Sequence, residues 1–386
     1  MAENQLAQPS LSWRIRSQFV MGMTGVLSRW FIYGLNQTEI YGLEPFLKIL
    51  DERKDIARRE RGLITVSNHI SVLDDPLIWG CLPYSYMVPD NLRWGLGSHD
   101  ICFKNKVLKS IFEPGQVLPT HRLAHSPFGG LFQPTMTQAI RLLSRGPFTS
   151  PEPPTSLPSP SPTPVSSLSA DREKHLAFND PFSSNQFTFS TNGEDSFHAP
   201  SAYANRRHGW IHIFPEGKVH QRTDKTMRYF KWGVARLILE SDPCPDVVPM
   251  WVEGFDSIMH ESREFPRFIP RTGKPVRIAF GEKVDMEEKF GDLKERWRQL
   301  REKETENAGN GQLLPMGVLS DELKYGEEAV ALRRECTSRV RAEVLRVRQQ
   351  RGLPDEDPKS GLVETWRAEG PKLEGHMEDD SWIRDV

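Results

Sequence analysis

A chain of 386 residues with 50 basic and 52 acidic side chains is nearly neutral, so its charge makes no case for a nucleic-acid partner. An apolar fraction of 37% with ten tryptophans can build one large core or two smaller ones and argues against global disorder. The four cysteines, Cys81, Cys102, Cys244 and Cys336, form no CxxC pair, which speaks against a disulfide scaffold and a structural zinc site; no metal ligand set is expected.

Residues 1–40 read as an N-terminal membrane-interface segment. In "WRIRSQFVMGMTGVLSRWFIYGLN" an apolar run from Phe19 to Leu27 is flanked by Arg14, Arg16 and Arg29, with no acid between Gln5 and Thr38. No stretch reaches the roughly 18 to 20 charge-free apolar residues of a spanning helix, and no clear cleavage site marks a secretory signal. The composition suits a helix lying in a membrane interface, anchored by Trp13, Phe19, Trp30 and Phe31. A soluble amphipathic helix capping the core is the alternative.

Residues 62–67 predict a buried strand. Asp75-Pro76 then predicts a helix start, with Asp75 as the N-cap and Pro76 at the first helical position. "GQVLPTHR" reads as a second short strand or turn, and "PTMTQAIRLLSRG" as a helix stopped by Gly146. Residues 147–205 begin with a Pro/Ser-rich stretch and continue polar with scattered phenylalanines, which predicts a disordered insertion. "GWIHIFPEG" is a strand broken at Pro215. "MRYFKWGVARLILES" places Phe230, Val234, Leu237, Ile238 and Ser241 on one helical face, with Lys231, Arg236 and Glu240 away from it. That face is a candidate membrane contact or an ordinary core face. "DVVPMWVEGF" and "PVRIAFGEKV" are further strands, so the alternation predicts an α/β domain. Residues 291–352 form a charged helical extension closed by Gly352 and Pro354, read as a solvated face. Residues 353–386 are an acidic, loose tail.

Chemistry concentrates at two strand ends. In "VSNHISVLDDP" His69 and Asp74 are five positions apart directly after the first strand. A histidine can take a proton there if a carboxylate holds its opposite ring nitrogen; equally, both aspartates could be caps and His69 a loop residue. In "FPEGKVH" Glu216 and Gly217 stand at another strand end, where α/β domains build their sites. Lys218, Arg222 and Lys225 follow as a rim for anionic head groups, or as ordinary surface. His208 and His212 are four apart, but in a strand that spacing does not make a metal pair.

Together these pieces resemble the glycerolipid acyltransferase family of 1-acylglycerol-3-phosphate acyltransferases. Its Asn-His-x4-Asp block is matched by Asn68, His69 and Asp74, and its Phe-Pro-Glu-Gly block by Phe214, Pro215, Glu216 and Gly217. Arg122 in "GQVLPTHR" matches the arginine of the second block less closely, and "VVPM", 247–250, loosely matches the fourth. The resemblance covers roughly 10–146 and 206–285. Members that use acyl-CoA usually follow Phe-Pro-Glu-Gly with Thr or Ser and Arg. Here Lys218-Val219 follows, which resembles a CoA-independent mitochondrial branch in a fungal form.

The resemblance implies a glycerolipid-acyltransferase-like mixed sheet flanked by helices, with residues 41–146 and 206–290 as two halves of one acyltransferase domain. It implies acyl transfer from a phospholipid such as phosphatidylcholine to a lysophospholipid, with monolysocardiolipin becoming cardiolipin, and with no cofactor. His69 and Asp74 would be catalytic. Asn68, Arg122, Phe214, Pro215, Glu216, Gly217 and Lys218 would bind substrate, with backbone amides near Gly217 as oxyanion donors. The implied setting is a membrane surface facing the mitochondrial intermembrane space, on outer and inner membranes, with mitochondrial membrane protein complexes as further partners. An acyl-CoA-dependent lysophospholipid acyltransferase is the alternative within the family. A non-catalytic membrane-binding scaffold is the alternative of another class.

Overall fold

The computed structural model describes residues 10–123, 125–145, 187–200, 207–262, 265–266, 268–307 and 314–368. Its centre is a seven-stranded sheet in the order β1-β9-β8-β2-β7-β3-β4. The strands are β1 Gln37–Tyr41, β2 Leu63–Val66, β3 Trp94–Ser98, β4 Val117–Thr120, β7 Trp210–Ile213, β8 Asp246–Glu253 and β9 Pro275–Phe280. The pairing is parallel throughout except between β8 and β9.

Both faces of this sheet are covered, as parallel pairing requires. Along β2 the side chains alternate: Leu63 joins one apolar cluster, and Ile64 and Val66 join the other. The Leu63 side is closed by α1 (Leu11–Gly34), α2 (Leu43–Glu52) and α3 (Asp74–Ile78), through Met21, Ile32, Phe46, Leu50, Leu77 and Ile78. The Ile64 side is closed by the helix Pro134–Leu143 (α6, after the short α4 His99–Cys102 and α5 Lys106–Phe112), by α7 (Gly233–Glu240) and by two C-terminal helices, Met286–Asn307 and Glu327–Gln350.

Several sequence readings change here. The amphipathic segment after Met227 becomes helical only at Gly233, and α7 is buried all round, so it is a core element and not a membrane contact. Its charges are inside too: Arg236 and Glu240 form a bidentate pair at 2.6 and 2.7 Å, and Arg236 also donates to the Leu131 carbonyl. One turn of helix puts the two charges within reach of each other, which makes their burial tolerable. The C-terminal helices bury Trp297, Leu332, Val340 and Val344 together with Arg333 and Arg348. The charge run is therefore only partly a solvated face.

The segment after Leu353 is also docked. Glu356 accepts from the Met227 amide at 2.6 Å and from Arg341 at 2.7 Å, and Trp366 is buried. Within the predicted insertion, residues 187–200 carry a hairpin, β5 (Thr188–Phe189) and β6 (Phe197–His198), whose Phe189 and Phe197 pack against Phe103. The scattered phenylalanines supply the apolar area that the Pro/Ser stretch lacks. The remainder of the insertion, and the tail beyond Ala368, lie outside the described residues.

In α1, Leu11, Ile15, Phe19, Met23, Leu27 and Trp30 are exposed, while Ser17, Met21, Ser28 and Ile32 face the fold. Two of the expected anchors are otherwise engaged. Trp13 stacks on His198 at 3.9 Å, and Phe31 packs on the core. The arginines also have partners: Arg16 donates to the Ser110 carbonyl, and Arg29 donates to the carbonyls of Gly80, Cys81 and Leu82. No helix among the described residues is long and apolar enough to cross a membrane.

Candidate active site

Parallel strands β2, β7, β3 and β4 end on one edge of the sheet, and every residue singled out for chemistry from the three matched blocks at strand ends lies on or just beyond that edge. Val66 is level with Ile213, and Ser98 with Thr120. His69, the Phe214–Gly217 turn, Asp100 and Arg122 thus follow in spatial order. A crevice at the carboxyl ends of parallel strands is where such sheets bind ligands.

His69 Nδ1 lies 2.9 Å from Asp74 Oδ2. The same oxygen accepts the amides of Ile70 and Ser71 at 2.7 and 2.9 Å, so Asp74 folds back over its own loop. Asp74 is fully buried, and burial raises its pKa despite the opposing pull of His69 and the two amides. Nδ1–H of His69 donates to this carboxylate, which leaves Nε2 as the ring's proton acceptor on a side chain 21% exposed. Phe214 stacks on the ring at 4.3 Å, fixing its plane. Asp75 is not the cap. The helix begins at Asp74 with no side-chain cap, and Asp75 instead bonds Arg93 and accepts from Trp79 Nε1 at 3.3 Å.

Two residues expected to bind substrate are buried and bonded to the backbone around the loop. Asn68 is buried and bonds both backbone groups of Val252 at 2.9 Å, tying the end of β2 to β8. Glu216 is buried, with Oε1 accepting the His69 amide at 2.8 Å and Oε2 the Arg228 amide at 2.9 Å. Burial pushes its pKa up to about 7, against the two amides and the neighbouring His69 and Arg228. Pro215 is also buried, and its carbonyl accepts the Lys231 amide at 2.8 Å.

Gly217 has φ +64°, a conformation that favours glycine, and a Cβ there would come within 2.9 Å of Lys231 Cδ, which would have to move aside. Its own amide donates to the Phe214 carbonyl, so it is engaged in the turn and is not a ready oxyanion donor. Lys218 is half-buried at the end of this turn. Lys231, which helical periodicity set aside as a surface charge, brings its side chain against this turn beside the glycine. Its signal was only its spacing from the Phe-Pro-Glu-Gly block.

Arg122 forms an ion pair with Asp100, donating through Nε at 3.2 Å and through a second guanidinium nitrogen. Burial resists ionisation of Asp100, but Arg122 and Ser98 hold its pKa down to about 2. Three strand steps separate the ends of β2 and β4, so Arg122 starts roughly 14 Å across the sheet from His69's strand at about 4.8 Å per step. The expected basic rim is paired: Arg222 with Asp224 at 3.1 Å, and Lys225 with Asp256 at 3.2 Å. His212 is a buried structural residue bonded to Thr65 at 2.8 Å, and His208 lies beside the Leu143 carbonyl; they do not form a metal pair. Next to Asp75 and Arg93, an apolar cleft of about 110 Å³ runs between α1 and the β4 side, lined by Thr24, Gly25, Met87, Ile111 and Val117.

A histidine held by a buried aspartate at a strand end is compatible with acyl transfer to a hydroxyl, and the comparisons point to an acyltransferase. The chain is 34% identical to the tafazzin of Saccharomyces cerevisiae over 92% of its own length and 84% of the relative's. It is 28% identical to the tafazzin of Drosophila melanogaster, over 76% and 57% of the two chains. Identity is also 28% to the N-acylphosphatidylethanolamine synthase of Arabidopsis thaliana, over 65% of this chain and 64% of that one. Among solved structures it aligns with the 1-acyl-sn-glycerophosphate acyltransferase PlsC of Thermotoga maritima, over 76% and 80% of the chains, at 14% identity and a TM-score of 0.36; so distant a likeness carries no argument. No family model matches. The protein is an acyltransferase. The chain belongs to the tafazzin family.

Proposed function

We propose that this chain is a phospholipid–lysophospholipid transacylase that works without CoA, with His69 as its base and Asp74 as the group that orients it. The observation that carries the reading is the 2.9 Å contact between His69 Nδ1 and the buried Asp74 carboxylate, which leaves Nε2 of this part-exposed ring as its proton acceptor. His69 Nε2 takes the proton from the free glycerol hydroxyl of a lysophospholipid. The oxygen attacks the ester carbonyl of a donor phospholipid, and a tetrahedral oxyanion forms. Collapse breaks the old ester bond, and the imidazolium returns its proton to the departing glycerol oxygen. Asp74 stabilises the imidazolium between the two transfers.

A covalent acyl-enzyme has little support. Ser67 and Ser71, which flank the histidine, are both fully buried, and Ser67 is bonded to the Asn68 carbonyl. Lys231 and Lys218, beside Gly217, supply positive charge near the oxyanion, while Arg122 holds a phosphate further along the edge, as a bidentate fork can once Asp100 yields it. The cleft beside Asp75 and Arg93 receives an acyl chain. The physiological donor and acceptor are phosphatidylcholine and monolysocardiolipin, the latter becoming cardiolipin. The enzyme sits on mitochondrial membranes facing the intermembrane space, with the exposed face of α1 against the lipid.

The test is label transfer in liposomes holding acyl-labelled phosphatidylcholine and monolysocardiolipin, without CoA, beside a His69→Ala variant. Label in cardiolipin that vanishes in the variant is expected. Transfer only after acyl-CoA is added would replace this reading with the CoA-dependent one. Vesicle binding without transfer under either condition would overturn the enzymatic role.

A further inference from the structure

At the far end of the same sheet edge, three ligand-type side chains meet from three separate segments. His99 opens α4 after β3, His121 follows β4, and Asp195 sits in the turn of the 188–198 hairpin. One donor atom from each lies within 4.8 Å of the other two, and His99 Nε2 is 3.7 Å from Asp195 Oδ2. The rings of His99 and His121 stack at 4.2 Å.

Each group is held from behind. The His121 backbone is clamped by Gln133, which accepts its amide at 2.8 Å and donates to its carbonyl at 3.2 Å. Asp195 Oδ1 accepts from Ser190 Oγ at 2.9 Å and from the Thr191 amide at 2.6 Å. Its Oδ2 accepts the Thr191 hydroxyl, which lies 2.7 Å from His121 Nε2. Two imidazoles in face contact repel if both are charged.

We propose that His99, His121 and Asp195 bind a divalent transition metal ion of the zinc class, which clips the hairpin of the insertion onto the β3 and β4 loops. Two imidazoles and one carboxylate, with a water completing the set, are a donor combination zinc accepts. Ligand bonds of about 2.0–2.2 Å require the three donors to close by roughly an ångström. Spacing did not reveal this group, because the ligands are 22 and 74 residues apart and the expectation of no metal rested on the cysteines and on His208 with His212. The neighbours of the two histidines in the chain are Asp100 and Arg122, which pair with each other. An ion here therefore also fixes the loop that presents Arg122, whatever Arg122 binds.

Untagged full-length protein, stripped with a chelator and equilibrated with Zn²⁺ alone, should retain one equivalent per chain by elemental analysis. His99→Gln and Asp195→Asn should each weaken binding at least tenfold in a chromogenic-chelator competition, and His260→Gln should not. Because His121 is buried, the part-exposed His99 carries the decision. Co²⁺ in place of Zn²⁺ should give visible absorption bands that disappear in His99→Gln. No bound equivalent in the wild type, or an equivalent and bands that survive both substitutions, would overturn the proposal.

Discussion

The amide of His69 donates to Glu216 Oε1 at 2.8 Å while the amide of Arg228 donates to Oε2 at 2.9 Å, so one buried carboxylate holds the His69 loop against the end of the strand next door. A glutamine of the same shape offers one oxygen and one NH2, and the NH2 faces an amide donor. An unmet buried donor costs about 1–3 kcal/mol. Glu216→Gln should therefore lower transacylation roughly tenfold to a hundredfold with a smaller change in substrate affinity. Steady-state kinetics on mixed liposomes would show it, and an unchanged rate would remove Glu216 from the positioning machinery.

The same carboxylate predicts a pH dependence of stability. Its folded pKa is raised to about 7 from an ordinary value of 4.5. The folded state thus binds the extra proton between those values, and stability falls as pH rises from about 4.5 to 7. About 1.4 kcal/mol per unit makes the span roughly 3 kcal/mol. Denaturant midpoints at pH 5 and pH 7.5 should differ more for the wild type than for Glu216→Gln, whose side chain does not titrate.

Asp74→Asn tests the orientation of His69. An amide can accept only with its oxygen, and three donors now converge on Asp74 Oδ2: His69 Nδ1 and the amides of Ile70 and Ser71. The variant should fold, because the loop amides keep an acceptor. It should lose about a thousandfold in rate, because the histidine tautomer and its charged form lose their partner. Loss of rate with unchanged vesicle binding is the expected result; retention of more than a tenth of the rate would contradict the pairing.

How much of this was legible depends on distance along the chain. The strands at 63–66, 210–213, 246–253 and 275–280 follow from their apolar runs, and His69 with Asp74 follows from local spacing. What Asn68 and Glu216 do does not, because their partners Val252 and His69 lie 184 and 147 residues away in the chain. Burial of Arg236, Arg333 and Arg348 was also hidden, since periodicity counts each arginine as polar while carbonyls and carboxylates satisfy it inside. The cap reading of Asp75 failed because Arg93, 18 residues on, outcompetes the helix end.

Glu356 illustrates the hidden part and can be tested. Its side chain is 2% exposed and meets Arg341 at 2.7 Å, Arg348 at 3.3 Å and the Met227 amide at 2.6 Å. Removing one partner of a buried pair leaves the other charge uncompensated, at about 3–5 kcal/mol. Glu356→Ala should lower the melting temperature by about 5 °C, although composition alone places it in an acidic tail. A shift under 1 °C would show that the segment after Leu353 is not docked in solution.

The exposed face of α1 makes the last prediction. Phe19 is 65% and Trp30 59% exposed, and with Leu11, Ile15, Met23 and Leu27 they form a stripe that the fold leaves uncovered. Such a stripe, on a helix without acidic residues, is attracted to a lipid surface by apolar burial and by its arginines together. Changing Phe19 and Trp30 to glutamate reverses both effects without touching Ser17, Met21, Ser28 or Ile32, which face the core. Flotation with cardiolipin-containing vesicles should fall at least tenfold, and transacylation on those vesicles should fall with it. Turnover of lysolipid and phospholipid dispersed in detergent should stay within about twofold, since His69 and Asp74 are unaffected. Equal losses in vesicles and in detergent would show that the face stabilises the enzyme itself and does not bring it to the membrane.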